Sequence, residues 1–457
     1  MKRNACRLHP CWPSMLLSMA VLFTGCTTPN RAPEPSTDDP IGPSRWTGPQ
    51  DGAFVVQKAW WKAMGDPVLD RLIVEATSQN LDLTLLVDRT RRAEIELTGA
   101  KADQWPKLSA TGGYTAVYTE SIDLDNYAIG AGLGWELDIW GRLRDKKGAQ
   151  LLEYQATEAD WRAGYLLVVG GVSRTYIFLR QLDEQQQLHE QTITVARGML
   201  DLYQQQQAAG VAASDAVARQ QAEVLRLESQ LEEMAGRRKL LLNELALLSG
   251  KEPGTVTMEP ADLRNTMRPI VLPEQIQANL LQRRPDLVAA ELRVKSAYRM
   301  QESMRAARWP QVPIGVGTST DPASLFASQW VALITPQISF PSLDPQTKVR
   351  LQLSEVDLES AQKQYKQAVL EAINEVASAM VTLRQHEVQL ANEAKRLDQF
   401  EAIRETVRRR VDAGVSNRVE LLGAELNQLA VQQRQLDLYG QLLLDQVNLH
   451  NALGGGW

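Results

Sequence analysis

Tyr127-Ala128-Ile129-Gly130-Ala131-Gly132-Leu133-Gly134-Trp135-Glu136-Leu137-Asp138-Ile139 alternates without a break. Every odd position is apolar, and the even ones hold Ala128, three glycines, Glu136 and Asp138. A period of two means an extended strand with two unlike faces. Just upstream, one face reads Leu108, Ala110, Gly112, Tyr114, Ala116, Tyr118 and the other Ser109, Thr111, Gly113, Thr115, Val117. Both runs are as long as a tilted membrane-spanning strand, about 9–11 residues, with aromatics towards their ends. The pattern returns more weakly in Val312, Ile314, Val316 and then Trp330, Ala332, Ile334, Pro336, Ile338, Phe340. Strand pairs are thus expected at 107–118 with 127–139 and at 312–318 with 329–340. Two soluble hairpins lying on helices are the alternative.

Four strands cannot form a membrane barrel alone, because lipid offers no partner to an open edge and known barrels begin at about eight strands. If the strands span a membrane, the chain must assemble with copies of itself. Two copies would enclose little more than side chains, whereas three give a twelve-strand barrel of ordinary size. A homotrimer is the expectation.

Further out, the chain repeats itself. Gln104-Trp105-Pro106 returns as Arg308-Trp309-Pro310, Leu81-Asp82-Leu83 as Pro285-Asp286-Leu287, and Ala209-Gly210-Val211 as Ala413-Gly414-Val415, each 204 residues on. A shared offset means a duplication, and its period is too long for a solenoid. The reading gives a first repeat at 67–250, a linker at 251–272 and a second repeat at 273–457. Each repeat has a helix, a strand pair, a very long helix, a glycine turn and a second helix. The helices are placed at Pro67 to Asp103, Arg142 to Ala208 and Ser214 to Ser249, then Pro273 to Arg308, Gln346 to Val411 and Asn417 to Leu453. Val369, Ile373, Val376, Met380, Leu383, Glu387, Leu390, Ala394 and Leu397 step by four and three, all apolar but Glu387. Val217, Gln220, Val224, Leu227, Leu231, Met234, Arg238, Leu241, Leu245 and Leu248 do the same, with Gln220 and Arg238 as exceptions. Such a narrow seam is coiled-coil packing, and Arg142 to Ala208 as one helix would reach roughly 100 Å. The linker, like the Pro-rich stretch 29–49, is expected to be extended and surface-bound.

Residues 1–25 read as an export leader: Lys2, Arg3 and Arg7, then an apolar core from Met15 to Phe23, then Gly25-Cys26. Small residues before a cysteine point to a bacterial lipobox and an acylated Cys26. The alternative is an ordinary cleaved signal and a free thiol. Cleavage removes Cys6 and Cys11, so one cysteine remains and no internal disulfide can form. Residues 26–66 then form an extended N-terminal segment. The chain as a whole has 457 residues, 44% of them hydrophobic, and a net charge of −6. No apolar run is long enough for a spanning helix, and the acidic balance gives no support to nucleic-acid binding.

Several stretches together resemble the bacterial outer-membrane factor family, the TolC-like proteins, in its lipoprotein branch serving drug and metal efflux. They are Trp60-Trp61 through Gly65-Asp66-Pro67 to Leu72, Asn80-Leu81-Asp82-Leu83, Trp105-Pro106-Lys107-Leu108, Trp135 to Arg142, Arg283-Arg284-Pro285-Asp286-Leu287 and Leu453-Gly454-Gly455-Gly456-Trp457. The resemblance implies a mixed α/β membrane protein: a trimeric twelve-strand β-barrel in the outer membrane, continued by a long α-helical barrel through the periplasm, with a belt around its middle. It implies a passive exit duct for small toxic compounds or drugs, fed by an inner-membrane pump, proton-driven, through a periplasmic adaptor. By the same analogy Gly210, Val211, Gly414 and Val415 are tips where the adaptor docks. Relatives often carry an acidic residue directly after the second Gly-Val. Here that residue is Ser416, which leaves Arg410, Asp412, Arg418 and Glu420 as gate candidates.

Enzyme signatures are lacking: the sequence has no Gly-x-Ser-x-Gly elbow, no phosphate-binding Gly-Lys-Ser/Thr loop and no His-Glu-x-x-His. His189, His386 and His450 lie far apart, and Met300 and Met304 read as packing residues, so neither a cofactor nor a metal site is expected. Two further readings stay open, a lipid-anchored periplasmic coiled-coil scaffold without a pore and a protein-secretion exit channel.

Overall fold

A computed structural model of the chain describes residues 59–119, 122–211, 213–270, 283–320 and 330–455. The leader, Cys26, the Pro-rich stretch 29–49 and Trp457 lie outside the described residues. The elements, in order, are α1 (Pro67–Gln79), α2 (Leu81–Ala102), β1 (Lys107–Thr119), β2 (Ile122–Leu137), α3 (Arg142–Ala208), α4 (Ser214–Leu248), α5 (Leu263–Thr266), α6 (Pro285–Ala306), β3 (Val312–Thr320), β4 (Trp330–Pro336), α7 (Pro345–Asp412) and α8 (Arg418–Ala452). None of the described helices is long and apolar enough to cross a membrane.

Two compact units divide the described residues. One holds Leu97–Leu151 and Lys295–Glu359, and the other holds the stretch ending at Glu96, Leu152–Val294 and the stretch from Ser360 onward.

The first unit contains a four-stranded antiparallel sheet in the order β1-β2-β3-β4. Its register brings the apolar positions together: Leu108 faces Leu133, Leu133 faces Val316, and Val316 faces Ile334. Directly opposed residues share a face, so one side of the sheet is apolar. On the other side two rows cross the sheet, Ser109–Gly132–Gly317–Leu333 and Lys107–Gly134–Gly315–Thr335, and Thr111 faces Gly130 in the next, so this side is built mainly of glycine and polar residues.

The turn from β2 into α3 explains why its sequence is so dense in chemistry. Asp138 accepts hydrogen bonds from Leu143 N at 3.0 Å and Arg144 N at 2.9 Å, satisfying free donors of the first helical turn. Glu136 takes Arg142 through two hydrogen bonds of 3.0 and 2.6 Å. Trp140 stacks on Trp309 at 5.1 Å and donates its indole N–H to the Pro310 carbonyl at 2.7 Å.

In the second unit parts of the counted seams are buried: Val224 and Leu227 pack with Ile193 and Ala196, and Val376 and Leu383 with Leu442 and Leu449. A larger core gathers Trp60, Met64, Leu69, Ile73, Tyr176, Leu263, Met267, Leu436 and Leu443.

Four expectations are corrected. The segment 26–66, expected to be extended, ends in a 3-10 helix at Trp60–Met64 with Trp60, Trp61 and Met64 buried. The helix read across Pro67 to Asp103 is two helices, because Asn80 has extended backbone and caps the second with a 3.1 Å bond from Leu83 N to its Oδ1. The linker is not extended throughout: it forms α5, and Leu263 and Met267 are fully buried. The last strand, expected to reach Phe340, ends at Pro336, which has no N–H to donate to the ladder. Beyond it the pairing thins to a bond from Gln337 N to the Pro313 carbonyl at 3.1 Å and the Gln311–Ser339 bridge, and Ile338 and Phe340 are exposed.

Candidate functional site

The sheet is the first functional element. Among the described residues β1 pairs only with β2 and β4 only with β3, so two edges carry unpaired backbone groups. One face suits hydrocarbon and the other suits water, which is the division a barrel wall needs.

Both glycine turns, in the second unit, have the same construction. Gly210 N donates to Gln207 O and Val211 N to Gln206 O, each at 2.9 Å; Gly414 N donates to Val411 O at 2.9 Å and Val415 N to Arg410 O at 2.8 Å. This paired closure of a helix C-terminus puts the glycine in the left-handed region, with φ of +73° at Gly210 and +68° at Gly414. A Cβ at either glycine would meet nothing within 4 Å. It is therefore backbone conformation, not space within this chain, that requires glycine. Val211 and Val415 are left 79% and 71% exposed, an unusual position for an apolar side chain at a turn.

Of the gate candidates, Arg410 and Glu420 meet, with Nη1 and Oε1 3.2 Å apart. Glu420 also accepts from the Ser416 hydroxyl, and its N–H donates to Asn417 Oδ1 at 2.8 Å, capping α8. Ser416 thus occupies the place of the expected acid by holding one. Asp412 and Arg418 are exposed and are not brought to this pair.

Sequence reasoning missed a buried polar network in the same unit. The Tyr176 hydroxyl donates to Asp66 at 2.6 Å, and Arg180 donates to the Tyr176 oxygen at 2.9 Å, to Asp183 at 3.0 Å and to the Glu259 carbonyl at 2.6 Å. Arg238 closes it on Asp183 at 2.7 Å and on the Met258 carbonyl at 2.7 Å. Burial, reinforced by the Asp66 carboxylate, pushes the Tyr176 phenol well above its usual value. The signal was present in the sequence: Arg238 interrupts an apolar seam, and a cation there needs a buried partner.

A two-faced antiparallel sheet with both edges free, in one chain with duplicated coiled-coil helices, is the class of subunit from which an oligomeric membrane channel is built. A family model described as outer membrane efflux protein matches residues 72–251 and again 277–455, and the chain belongs to that family. It is 29% identical over 416 residues, 87% of this chain and 88% of the relative, to a protein of Salmonella typhimurium named "Probable outer membrane lipoprotein SilC". It is 28% identical over 473 residues, 99% of each chain, to the cation efflux system protein CusC of Escherichia coli. Among solved structures, the outer-membrane channel OprN superposes with a TM-score of 0.79 at 23% identity, covering 94% of this chain and 98% of that one. The protein is an outer-membrane efflux channel.

Proposed function

We infer that three copies of this chain form the exit duct of a tripartite efflux machine, receiving substrate from a proton-driven inner-membrane pump through a periplasmic adaptor. The observation that carries this is the pair of free sheet edges. Strands that run alternately up and down leave β4 and β1 antiparallel when copies meet, so each copy continues the meander of the last. A head-to-tail contact of this kind closes into a ring, and closure satisfies every edge group that lipid cannot.

Acylation of Cys26 would hold the duct to the membrane, a reading supported by the name of SilC. The exposed Val211 and Val415 would seat the adaptor, since each offers an apolar side chain on a rigid turn. The Arg410–Glu420 pair, with Asp412 and Arg418 reaching towards neighbouring copies, would keep the resting mouth narrow. The cargo would be small toxic compounds or drugs, with metal cations as a further class in view of the name of CusC. Heat-stable trimers in outer-membrane fractions, conducting in planar bilayers, are the expected result. A soluble monomer after removal of the acyl chain would contradict it.

A further inference from the structure

At the root of the sheet, within the first unit, lies a cavity of about 400 Å³ bordered by Trp105, Trp135, Lys107, Lys146, Arg142 and Gly134. Its charges do not balance. Arg142 is matched by Glu136 in a two-pronged pair, but Lys107 and Lys146 share one carboxylate, that of Asp103, at 2.9 and 2.7 Å. Three cations thus meet two carboxylates. Each ammonium has three N–H donors and spends one on Asp103, while the Lys107 and Lys146 side chains remain 68% and 39% exposed. Lys146 first and Lys107 second hold the Asp103 carboxyl at about 2, so it stays ionised and cannot adjust to the surplus.

The small-residue face supplies Lys107, Gly134, Glu136 and Pro313 to the lining of the cavity. Lys107, Gly134 and Gly315 share one row of the register, and Glu136 faces Pro313 in the next. A Cβ at Gly134 would meet nothing within 4 Å, so the space in front of the lysines is open. Trp105, 72% exposed, supplies a flat apolar border.

The geometry points to a binding site for organic anions in transit, an aromatic body against Trp105 with its carboxylate on Lys107 and Lys146. This rests on the channel reading above, which turns the small-residue face towards the lumen. The site would recur three times around the duct. It would raise the local concentration of anionic cargo by charge while letting it leave, because only one surplus cation per copy attracts it.

The test uses the full-length protein in planar bilayers with 2-naphthoate as the probe and uncharged 2-naphthylmethanol beside it. Naphthoate should reduce the current at concentrations where the alcohol does not. Lys107→Gln with Lys146→Gln should weaken that block about tenfold, the loss expected of a hydrogen bond to a charged group. Asp103→Asn should strengthen it, because it removes an anion and leaves both ammoniums. Lys101→Gln, which removes one cation outside the cavity, should leave it unchanged. A purely structural role would make the first two changes shift the block in the same direction. A channel that conducts but is blocked equally by acid and alcohol, or equally in all variants, overturns the site. A chain that inserts and never conducts overturns the channel reading, and the site falls with it.

Discussion

Asn80 and Arg284, 204 residues apart, do one job in the two repeats. The Asn80 amide donates to the carbonyl of Leu248 and the Arg284 guanidinium to that of Ala452, both at 2.9 Å. Leu248 and Ala452 are the last residues of α4 and α8, whose carbonyls have no partner within the helix. Different chemistry at equivalent positions thus serves the same backbone need.

Arg284→Met leaves the Ala452 carbonyl without this donor and should cost about 1–3 kcal/mol. Its acidic partners Asp286 and Glu375 are about half exposed, so the lost ion pairs add little. Asn80→Ala removes both the tie to Leu248 and the cap on α2, and should cost about 1–2 kcal/mol. Calorimetric unfolding of the purified protein measures both.

Glycines with the same conformation should respond differently to alanine. Gly210→Ala and Gly414→Ala meet only the left-handed backbone penalty, about 1–2 kcal/mol each. At Gly250, with φ of +66°, a Cβ would lie 2.3 Å from the Gln79 carbonyl oxygen, and Gly250→Ala should cost roughly 3 kcal/mol or more. The same calorimetry separates the two classes.

Val211→Asp and Val415→Asp change side chains that are already in water, so stability should move by less than about 0.5 kcal/mol. Capture of the adaptor by the purified channel should nevertheless be lost. Retained capture would remove the tips from the docking surface.

For the gate, Glu420→Ala and Asp412→Ala should each raise single-channel conductance and antibiotic uptake. The Arg410–Glu420 pair is about half exposed and worth at most about 1 kcal/mol, so the melting temperature should not move. Unchanged conductance in both variants would discard the gate.

Burial pushes the His450 imidazole below its ordinary 6.5, and the hydrogen bond to the Gln446 carbonyl offsets this only in part. The unfolded chain then binds a proton at higher pH than the folded one, so stability is complete above about pH 6.5 and declines as pH falls below it. Melting curves between pH 8 and 5 should show this decline, and His450→Gln should flatten it.

How much of this was legible depended on range. The alternation of Tyr127 to Ile139 placed β2, because period-two patterning is local. Arg142 to Ala208 gave α3 its observed limits, because Gly141 precedes it and Gly210 follows. Asn80 stayed hidden inside a helical pattern, since its capping partner Leu83 and its distant partner Leu248 look alike in sequence. Of the Tyr176 network only the cation was legible, as Arg238 interrupting an apolar seam; its partners Asp66, Asp183 and Glu259 come together only in the fold. The shared use of Asp103 by two lysines also depends on distances that spacing does not carry, since Lys146 is 43 residues away.

Closure of the barrel between copies is the central claim, and disulfide trapping tests it most directly. In one copy β2 and β3 separate β1 from β4 by three strand spacings, about 14 Å, beyond the roughly 7 Å that a disulfide can bridge. Cysteine pairs that combine Ser109, Thr111 or Gly113 in β1 with Val331, Leu333 or Thr335 in β4 can therefore bond only between copies. Oxidation in outer-membrane fractions should give a ladder on denaturing gels that ends at three chains. A ladder that stops at two or runs past three, or no cross-linking from any pair, would contradict the account.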